Sequence, residues 1–244
     1  MTRLLIVDGH AYAYRAFHAI RNLRGPGGQP TNAIYGFIKM LEKLRGALEP
    51  AGAMVVWDGG LSAERAAIHP EYKQQRPEMP SDLRLQLDGL VEYLAAAGLA
   101  SYCGEGIEAD DYIGCLARRA AAAGWHVVIA SSDKDFMQLV SPQIGLWNPG
   151  DKTAGVVWTR AQVLAKTGVE PGQVADWLAL MGDAVDNIPG VPGVGPKTAT
   201  DLLKQFGSAT VLWTRLAEVK SEKLRVALQE SGEIVRRNLR LVQL

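Results

Sequence analysis

The chain has 244 residues, of which 48% are hydrophobic and 21% charged, enough to bury one substantial core and leave a small second lobe. Its 26 basic and 26 acidic residues balance, so net charge alone does not indicate a nucleic-acid partner. No uncharged apolar stretch approaches the length of a membrane span, and the first residues run straight into a short strand rather than a signal peptide, so we expect a soluble, cytoplasmic protein with no membrane partner.

Short apolar runs alternate with amphipathic stretches over the first part of the chain. The predicted elements are, in order, a strand at 3–7, a helix at 10–22, a turn at 25–28, a helix at 31–48, a strand at 53–57, a helix at 81–97, a strand at 99–103, a helix at 109–123 and a strand at 126–132. This alternation is typical of an α/β fold with a central, mostly parallel sheet and helices on both faces.

Two parts of the chain depart from that alternation. Segment 59–80 is polar, basic and interrupted by prolines, so we predict a mobile excursion over the strand ends. From about residue 159 the strand pattern ceases, and the remainder is predicted to be a C-terminal all-helical lobe. We therefore predict two domains packed together, an α/β domain at 1–158 and a helical lobe at 159–244.

Acidic residues directly follow three of the predicted strands. Asp8 ends the first strand, Asp58 ends the second, and Asp133 and Asp135 follow the strand at 126–132. Because ligands bind outside the carboxyl ends of parallel strands, we expect these carboxylates to share one crevice. Crowded like charges repel and favour protonation, so an oxygen-rich cluster at neutral pH predicts bound divalent metal.

Two further acidic groups extend this set. Glu108, Asp110 and Asp111 lie at the predicted start of a helix, where one acid would serve as a cap worth about 0.5–2 kcal/mol and three exceed that need. Asp183 and Asp186 are three residues apart and would share one face of a helical turn, with a solvated helix end as the alternative. No His or Cys belongs to these groups, which disfavours zinc and favours Mg²⁺ or Mn²⁺.

The basic residues and a glycine-rich stretch favour a phosphate-containing substrate. Setting the nine clustered carboxylates aside leaves a surplus of nine basic residues for the other surfaces, as suits an enzyme that grips phosphates and cuts one of them. Between Gly190 and Thr198, three glycines precede a predicted helix start at Pro196. Backbone N–H groups there and Lys197 would face an anion, although a plain helix-to-helix turn is the alternative.

Seven ordered motifs, covering the chain essentially end to end, resemble those of the 5′→3′ exonuclease (flap endonuclease) family, closest to the N-terminal nuclease domain of bacterial DNA polymerase I. They are Asp8-Gly9, Val56-Trp57-Asp58, Pro70 to Pro77, Glu108 to Asp111, Asp133-Lys134-Asp135, Met181 to Gly190, and the glycine-rich turn. The resemblance implies a PIN-like fold, a helix-three-turn-helix in the helical lobe for duplex DNA, and an arch at about 59–95 that admits the 5′ single strand. It also implies a structure-directed, Mg²⁺-dependent 5′ nuclease.

The resemblance also implies roles for particular residues. The first metal site matches Asp8, Asp58, Glu108, Asp110 and Asp111 with Asp133 and Asp135 beside them, and the second adds Asp183 and Asp186. Basic residues that match phosphate contacts are Arg15, Lys73 and Arg76, and the expected DNA-binding residues are Tyr72, Arg65, Gly190, Gly193, Gly195, Lys197 and Thr198. Potassium on carbonyls of the glycine-rich turn is implied as well. The expected partner is DNA with a 5′ flap, nick or 5′ end, and the expected state is a monomer.

Two other functional classes remain as alternatives. A haloacid-type phosphohydrolase also has an Asp after its first strand, but it needs a second Asp two residues later, where this chain has His10. The other is a nuclease-dead DNA-binding module of the same fold, which the full set of carboxylates disfavours. His10 itself departs from the Ser or Thr usual in the family, and we expect a structural histidine at a helix start. Cys103 and Cys115 are too few for a disulfide framework and are expected to be buried small hydrophobes.

Overall fold

The computed structural model of the protein describes residues 2–149 and 156–244. Its chain forms two compact units. Unit 1 comprises Met1–Gly60, Pro77–Phe136 and Pro142–Trp158, and unit 2 comprises Leu61–Arg76, Met137–Ser141 and Thr159–Leu244. Residues 61–76 and 137–141, which the predicted division places in the α/β domain, thus group with unit 2.

The strands are β1 (Arg3–Asp8), β2 (Gly52–Trp57), β3 (Ala100–Cys103), β4 (His126–Ala130), β5 (Ile144–Trp147), β6 (Gly182–Asp183) and β7 (Ile188–Pro189). The α-helices are α1 (Gly9–Ala19), α2 (Asn32–Leu48), α3 (Ala63–Ile68), α4 (Ser81–Ala96), α5 (Ala109–Ala122), α6 (Arg160–Thr167), α7 (Val174–Met181), α8 (Pro196–Phe206), α9 (Ala209–Thr214), α10 (Glu222–Glu230) and α11 (Gly232–Val242).

Unit 1 contains a five-stranded parallel sheet in the order β3-β2-β1-β4-β5. The chain builds outward from β1 through β2 to β3 and then crosses back to place β4 on the other side of β1. The strand order therefore reverses between β1 and β4, and such a switch point opens a crevice at the carboxyl edge of the sheet. The predicted strands are confirmed, and β5 is an additional strand that the sequence pattern did not indicate.

Helices cover both faces of this sheet, as predicted. Leu5, Val7 and Val55 point to one face and belong to a buried core that also contains residues of α1, α2 and α4. Ile6 and Ile129 point to the other face and are fully buried, and α5 packs along β1, β2, β4 and β5. Burial on both faces explains why these strands are continuous apolar runs rather than alternating ones.

The segment predicted to be a mobile excursion has local structure of its own. It contains α3, whose first turn is capped by the Ser62 hydroxyl accepting from the Arg65 N–H, followed by successive turns through residue 75. Within unit 2, α3 packs against α11. The second part of the predicted arch, α4, lies in the core of unit 1, where Leu83, Leu90 and Leu94 are fully buried.

Unit 2 is helical except for one short strand pair. β6 and β7 pair antiparallel, so the expectation that strands cease after residue 159 is wrong at this point. The pairing depends on glycine, because a Cβ on Gly190 would lie 2.2 Å from the Met181 carbonyl carbon. The buried Asn238 of α11 donates from Nδ2 to the Ala179 and Pro189 carbonyls, which fixes α11 against α7 and β7.

Within residues 2–149 and 156–244, every helix is too short or too polar to cross a bilayer. Both cysteines are free and exposed, so the expectation that they are buried is wrong. Cys103 ends β3, which is an edge strand, and Cys115 lies on α5 away from that helix's buried residues Ile113, Gly114 and Ala117.

Candidate functional site

Asp8 and Ser131 join the two central strands of unit 1 at the switch point. Asp8 is the N-cap of α1 and accepts a hydrogen bond from the Ala11 N–H at 3.0 Å. The Ser131 hydroxyl, fully buried just after β4, donates to the Asp8 carboxylate at 2.8 Å and accepts from the Asp133 N–H at 3.0 Å. Sequence reasoning missed Ser131, although a serine between a buried strand and an acidic pair was an available signal.

Three carboxylates interact at this edge of the sheet. Burial raises the pKa of Asp8 to about 6, and the negative charges of Asp133 and Asp58 raise it further, while the hydrogen bonds from Ala11 and Ser131 oppose the rise. The structure therefore brings together Asp8, Asp58 and Asp133, as the strand-end pattern predicts. A bound cation would offset the repulsion between these charges and the cost of partly burying them.

His10 supports the end of β2. Its Nδ1 accepts a hydrogen bond from the Asp58 N–H at 3.0 Å, which requires a ring nitrogen without a proton. Burial lowers the pKa of His10 and so favours the neutral form that can accept this bond. The expectation of a structural histidine at a helix start is confirmed. The Asp58 carboxylate itself accepts from the Gly60 N–H at 2.9 Å.

The remaining acidic residues of unit 1 lie at the start of α5 and after β4. Glu108 occupies the N-cap position of α5, is buried, and makes no capping hydrogen bond with its side chain, so the capping alternative fails for this residue. Asp110 and Asp111 are half-buried in the first turn. Asp135 is buried, and its N–H donates to the Asp133 carboxylate at 2.9 Å. Because α5 follows β3 in a parallel sheet, its N-terminus lies at the carboxyl edge of that sheet.

Asp183 and Asp186 belong to unit 2. Asp183 ends β6 and accepts from the Val185 N–H at 3.0 Å, and Asp186 lies in the turn that leads to β7. They are not on a helical turn, so that expectation is wrong. Both are buried, at 6% and 7% exposure, so the alternative of a solvated helix end is also wrong.

Residues 69–76, named here the docked segment, lie against the turn that carries Asp186, within unit 2. The Lys73 N–H donates to the Asp186 carbonyl at 3.0 Å, and the Arg76 guanidinium forms an ion pair with the Asp186 carboxylate at 2.5 Å. The Lys73 ammonium lies 4.8 Å from the centre of the Tyr72 ring. The structure thus places the predicted phosphate contacts Lys73 and Arg76 beside a predicted metal ligand.

The other predicted DNA contacts differ in exposure. Tyr72 and Arg65 are buried in unit 2, at 2% and 5% exposure, and the Arg65 guanidinium lies 6.0 Å from the Tyr72 ring, so this conformation favours a packing role for both. Arg15 is exposed on α1 in unit 1. Lys197 is exposed and Thr198 half-buried in the first turn of α8.

The glycine-rich turn leads directly into α8. Position 190 must be glycine, because the pairing of β6 and β7 brings its backbone too close to Met181 for a side chain. Gly193 adopts φ +80°, which favours glycine, and Gly195 is the N-cap ahead of Pro196. Among the residues that the structure describes, none in the first turn of α8 is acidic, so the N–H groups of this turn and Lys197 present positive potential.

Fold and site together define a class of protein. A parallel α/β sheet that gathers carboxylates from several strand ends, joined to a helical unit with a basic helix N-terminus, is the arrangement of a nuclease that uses divalent metal. The sequence matches the 5′-3′ exonuclease N-terminal resolvase-like domain over residues 3–168 and the 5′-3′ exonuclease C-terminal SAM fold over residues 169–244. The chain belongs to the 5′-3′ exonuclease family.

Relatives and solved structures agree with this assignment. The chain is 44% identical over 208 residues to a 5′-3′ exonuclease of Aquifex aeolicus, covering 85% of this chain and 71% of the relative. It is 46% identical over 225 residues to DNA polymerase I of Pseudomonas aeruginosa, covering 92% of this chain but 24% of that protein, so the chain spans about a quarter of that relative's length.

Among solved structures, T5 5′-exonuclease with bound divalent metal ions (zinc) is 25% identical to the chain. It superposes with a TM-score of 0.80, covering 98% of this chain and 89% of that one. A complex of T5 D15 flap endonuclease with DNA and metal ions has a TM-score of 0.79 at 23% identity, covering 98% of this chain and 88% of that one, and shows the same fold.

Proposed function

We propose that the chain is a structure-directed 5′ nuclease that hydrolyses DNA phosphodiesters by a two-metal-ion mechanism, acting on DNA with a 5′ flap, a nick or a 5′ end. The observation that carries the proposal is the group of interacting carboxylates Asp8, Asp58 and Asp133 at the switch point of the sheet. The family assignment supports the reaction class. The named structures of T5 5′-exonuclease with metal ions support a divalent cofactor.

The donor set fits Mg²⁺ or Mn²⁺, because every proposed side-chain ligand offers oxygen. The first ion is assigned to Asp8, Asp58, Glu108, Asp110 and Asp111 with Asp133 and Asp135 beside them, and the second to the pair Asp183 and Asp186. Mg²⁺ keeps several waters, so many of these carboxylates would act through water rather than by direct contact. When bound, such ions make a water acidic enough to attack at neutral pH and neutralise charge on the phosphate.

The chain's own residues then position and stabilise the phosphate. Lys73 and Arg76 are assigned to the scissile phosphate, where their charges stabilise the transition state, and Arg15 to a neighbouring phosphate. No side-chain nucleophile is required. The ion pair between Arg76 and Asp186 gives Arg76 a resting partner, which it exchanges for phosphate when DNA binds.

The helical unit is assigned to the duplex. The N-terminus of α8, with Gly193, Gly195, Lys197 and Thr198, suits contact with a phosphate regardless of base sequence. We assign this turn to a helix-three-turn-helix whose carbonyls hold potassium. Relatives named DNA polymerase I support a role in DNA replication and repair. We place the protein in the cytoplasm and expect it to act as a monomer.

The test is a cleavage assay on 5′-flap, nicked and blunt DNA with Mg²⁺ or with chelator. We expect cutting of the flap substrate in Mg²⁺ and none with chelator, and Asp133→Ala and Asp186→Ala should abolish or greatly slow it. Undiminished rates in these variants would contradict the assignment. Flap binding without cleavage in Mg²⁺ or Mn²⁺ would favour the nuclease-dead module, and hydrolysis of small phosphate esters with no action on DNA would favour the haloacid-type phosphohydrolase.

A further inference from the structure

The docked segment is held to the turn at 184–187 by contacts that the proposed chemistry does not use. The Asn187 carbonyl accepts a hydrogen bond from His69 Nε2 at 2.8 Å, and Asn187 Nδ2 donates to the Glu71 carbonyl at 2.8 Å. Gln75 Nε2 donates to the Ala184 carbonyl. All of these residues lie in unit 2, so one body contains both sides of the contact.

His69 is fixed at several atoms. A backbone carbonyl only accepts, so Nε2 of His69 must carry the proton that reaches Asn187. The His69 N–H donates to the Arg65 carbonyl at 2.9 Å, and its own carbonyl accepts from the Tyr72 N–H at 2.9 Å. The residue is buried, at 7% exposure, so packing restricts the orientation of its ring.

Asn187 and Lys73 both adopt left-handed backbone conformations, at φ 58° and φ 57°. Asparagine tolerates this region, whereas lysine disfavours it, so the surroundings must hold Lys73 there. The Lys73 N–H bond to the Asp186 carbonyl is one restraint. The hydrogen bonds that Asn187, the next residue in this turn, makes with His69 and with the Glu71 carbonyl are two more. Strained backbone that is over-determined by its neighbours is found at functional positions.

We propose that His69 and Asn187 are positioning residues for phosphodiester cleavage. They clamp the docked segment to the turn at 184–187, so that Lys73 and Arg76 are set in a fixed relation to Asp186. Neither residue touches the phosphate in this scheme. The inference rests on the proposed function and deepens it, because it explains how cations of one segment and a carboxylate more than 100 residues later act as one group.

Four variants test the clamp. Asn187→Gly removes the Nδ2 donor but keeps a residue that accepts the left-handed conformation. Its matched control is Asn22→Gly, because Asn22 is also left-handed, at φ 61°, but lies in unit 1. His69→Leu removes the Nε2 donor, and His69→Gln returns an N–H donor of similar reach.

Two measurements are compared for each variant. In single-turnover cleavage of 5′-flap DNA with Mg²⁺ and saturating enzyme, Asn187→Gly and His69→Leu should be about 10- to 100-fold slower, because small misplacement of a positioned group costs rates of this order. Their DNA affinity, measured with Mg²⁺ replaced by Ca²⁺, should change by less than about twofold. His69→Gln should recover most of the rate, and Asn22→Gly should match the parent protein.

Hydrogen exchange of the Lys73 and Arg76 amides, in protein without metal or DNA, gives a readout that does not depend on cleavage. We expect at least roughly tenfold faster exchange in Asn187→Gly and His69→Leu than in Asn22→Gly. Parent-like cleavage in Asn187→Gly, or a loss that follows reduced thermal stability and that His69→Gln does not restore, overturns the positioning role. If the parent chain does not cut DNA while exchange still accelerates in the variants, the proposed function fails and the clamp stands.

Discussion

The two units place a carboxylate in opposite electrostatic surroundings, half-buried for Asp8 and buried for Asp186. In unit 1, burial raises the pKa of Asp8, and the negative charges of Asp133 and Asp58 raise it further. Beside Asp186 in unit 2 the protein supplies its own cation, Arg76, on a segment clamped to the same turn. On the proposed function, a metal ion would relieve the unfavourable charge at Asp8, whereas the Asp186 carboxylate already has Arg76 as its counter-charge, and Arg76 would leave it for phosphate when DNA binds.

The largest expected effect is the loss of an anionic ligand at the switch point. Asp8→Asn should slow Mg²⁺-dependent cleavage by about 10³-fold or more, since metal stabilisation is worth several kcal/mol and each 1.4 kcal/mol is tenfold. Single-turnover rates on 5′-flap DNA measure this. A variant within about tenfold of the parent would show that Asp8 is not a ligand.

Without metal, Asp8→Asn should raise the free energy of unfolding at neutral pH, although it lowers the cleavage rate. The pKa of Asp8 is raised from 3.8 to about 6 in the folded protein, so the folded state prefers the protonated form. Stability is therefore highest below about pH 4 as far as this group is concerned, and it is lost as pH rises through about 6, by up to roughly 3 kcal/mol. Chemical unfolding in chelator from pH 4 to 8 should show this loss in the parent and not in Asp8→Asn.

Removing the Arg76 cation that pairs with Asp186 should lower the free energy of unfolding. Arg76→Gln leaves the buried Asp186 carboxylate without its ion pair, and we expect a loss of about 1–2 kcal/mol at pH 7 in chelator, limited because Arg76 is 42% exposed. Unfolding midpoints of Arg76→Gln and Asp8→Asn should thus shift in opposite directions. Shifts of the same sign would contradict the contrast drawn between the two carboxylates.

The smallest expected effect concerns duplex contact. Lys197→Ala should weaken binding of duplex DNA and make the slope of log affinity against log salt shallower by about one. Fluorescence anisotropy across a salt series measures both quantities, and Lys204→Ala, at the other end of α8, is a control on the same helix. An unchanged slope for Lys197→Ala would place the duplex contact elsewhere.

The carboxylates at the carboxyl ends of β1, β2 and β4 could be predicted from sequence because strand polarity alone determines which edge they share. The Asp183–Asp186 geometry could not, because three-residue spacing indicates a helical face whereas the conformation of Gly182, at φ +78°, and the close approach of Gly190 impose a strand pair. β5 was missed because Gly145 interrupts its short apolar run. The clamp of the docked segment joins residues more than 100 positions apart through backbone carbonyls, which leave no sequence signal.

Trp57 is a fluorescent side chain at the carboxyl end of β2, next to Asp58. Its indole packs where Gly9 has no side chain, stacks on Phe37 at 5.7 Å between ring centres, and meets the His10 ring edge-on at 5.6 Å. Indole emission depends on the charge and hydration of such neighbours, so if Asp58 binds metal as proposed, the emission of Trp57 should change when metal is added. Comparison with Trp57→Phe would isolate that signal from the other five tryptophans.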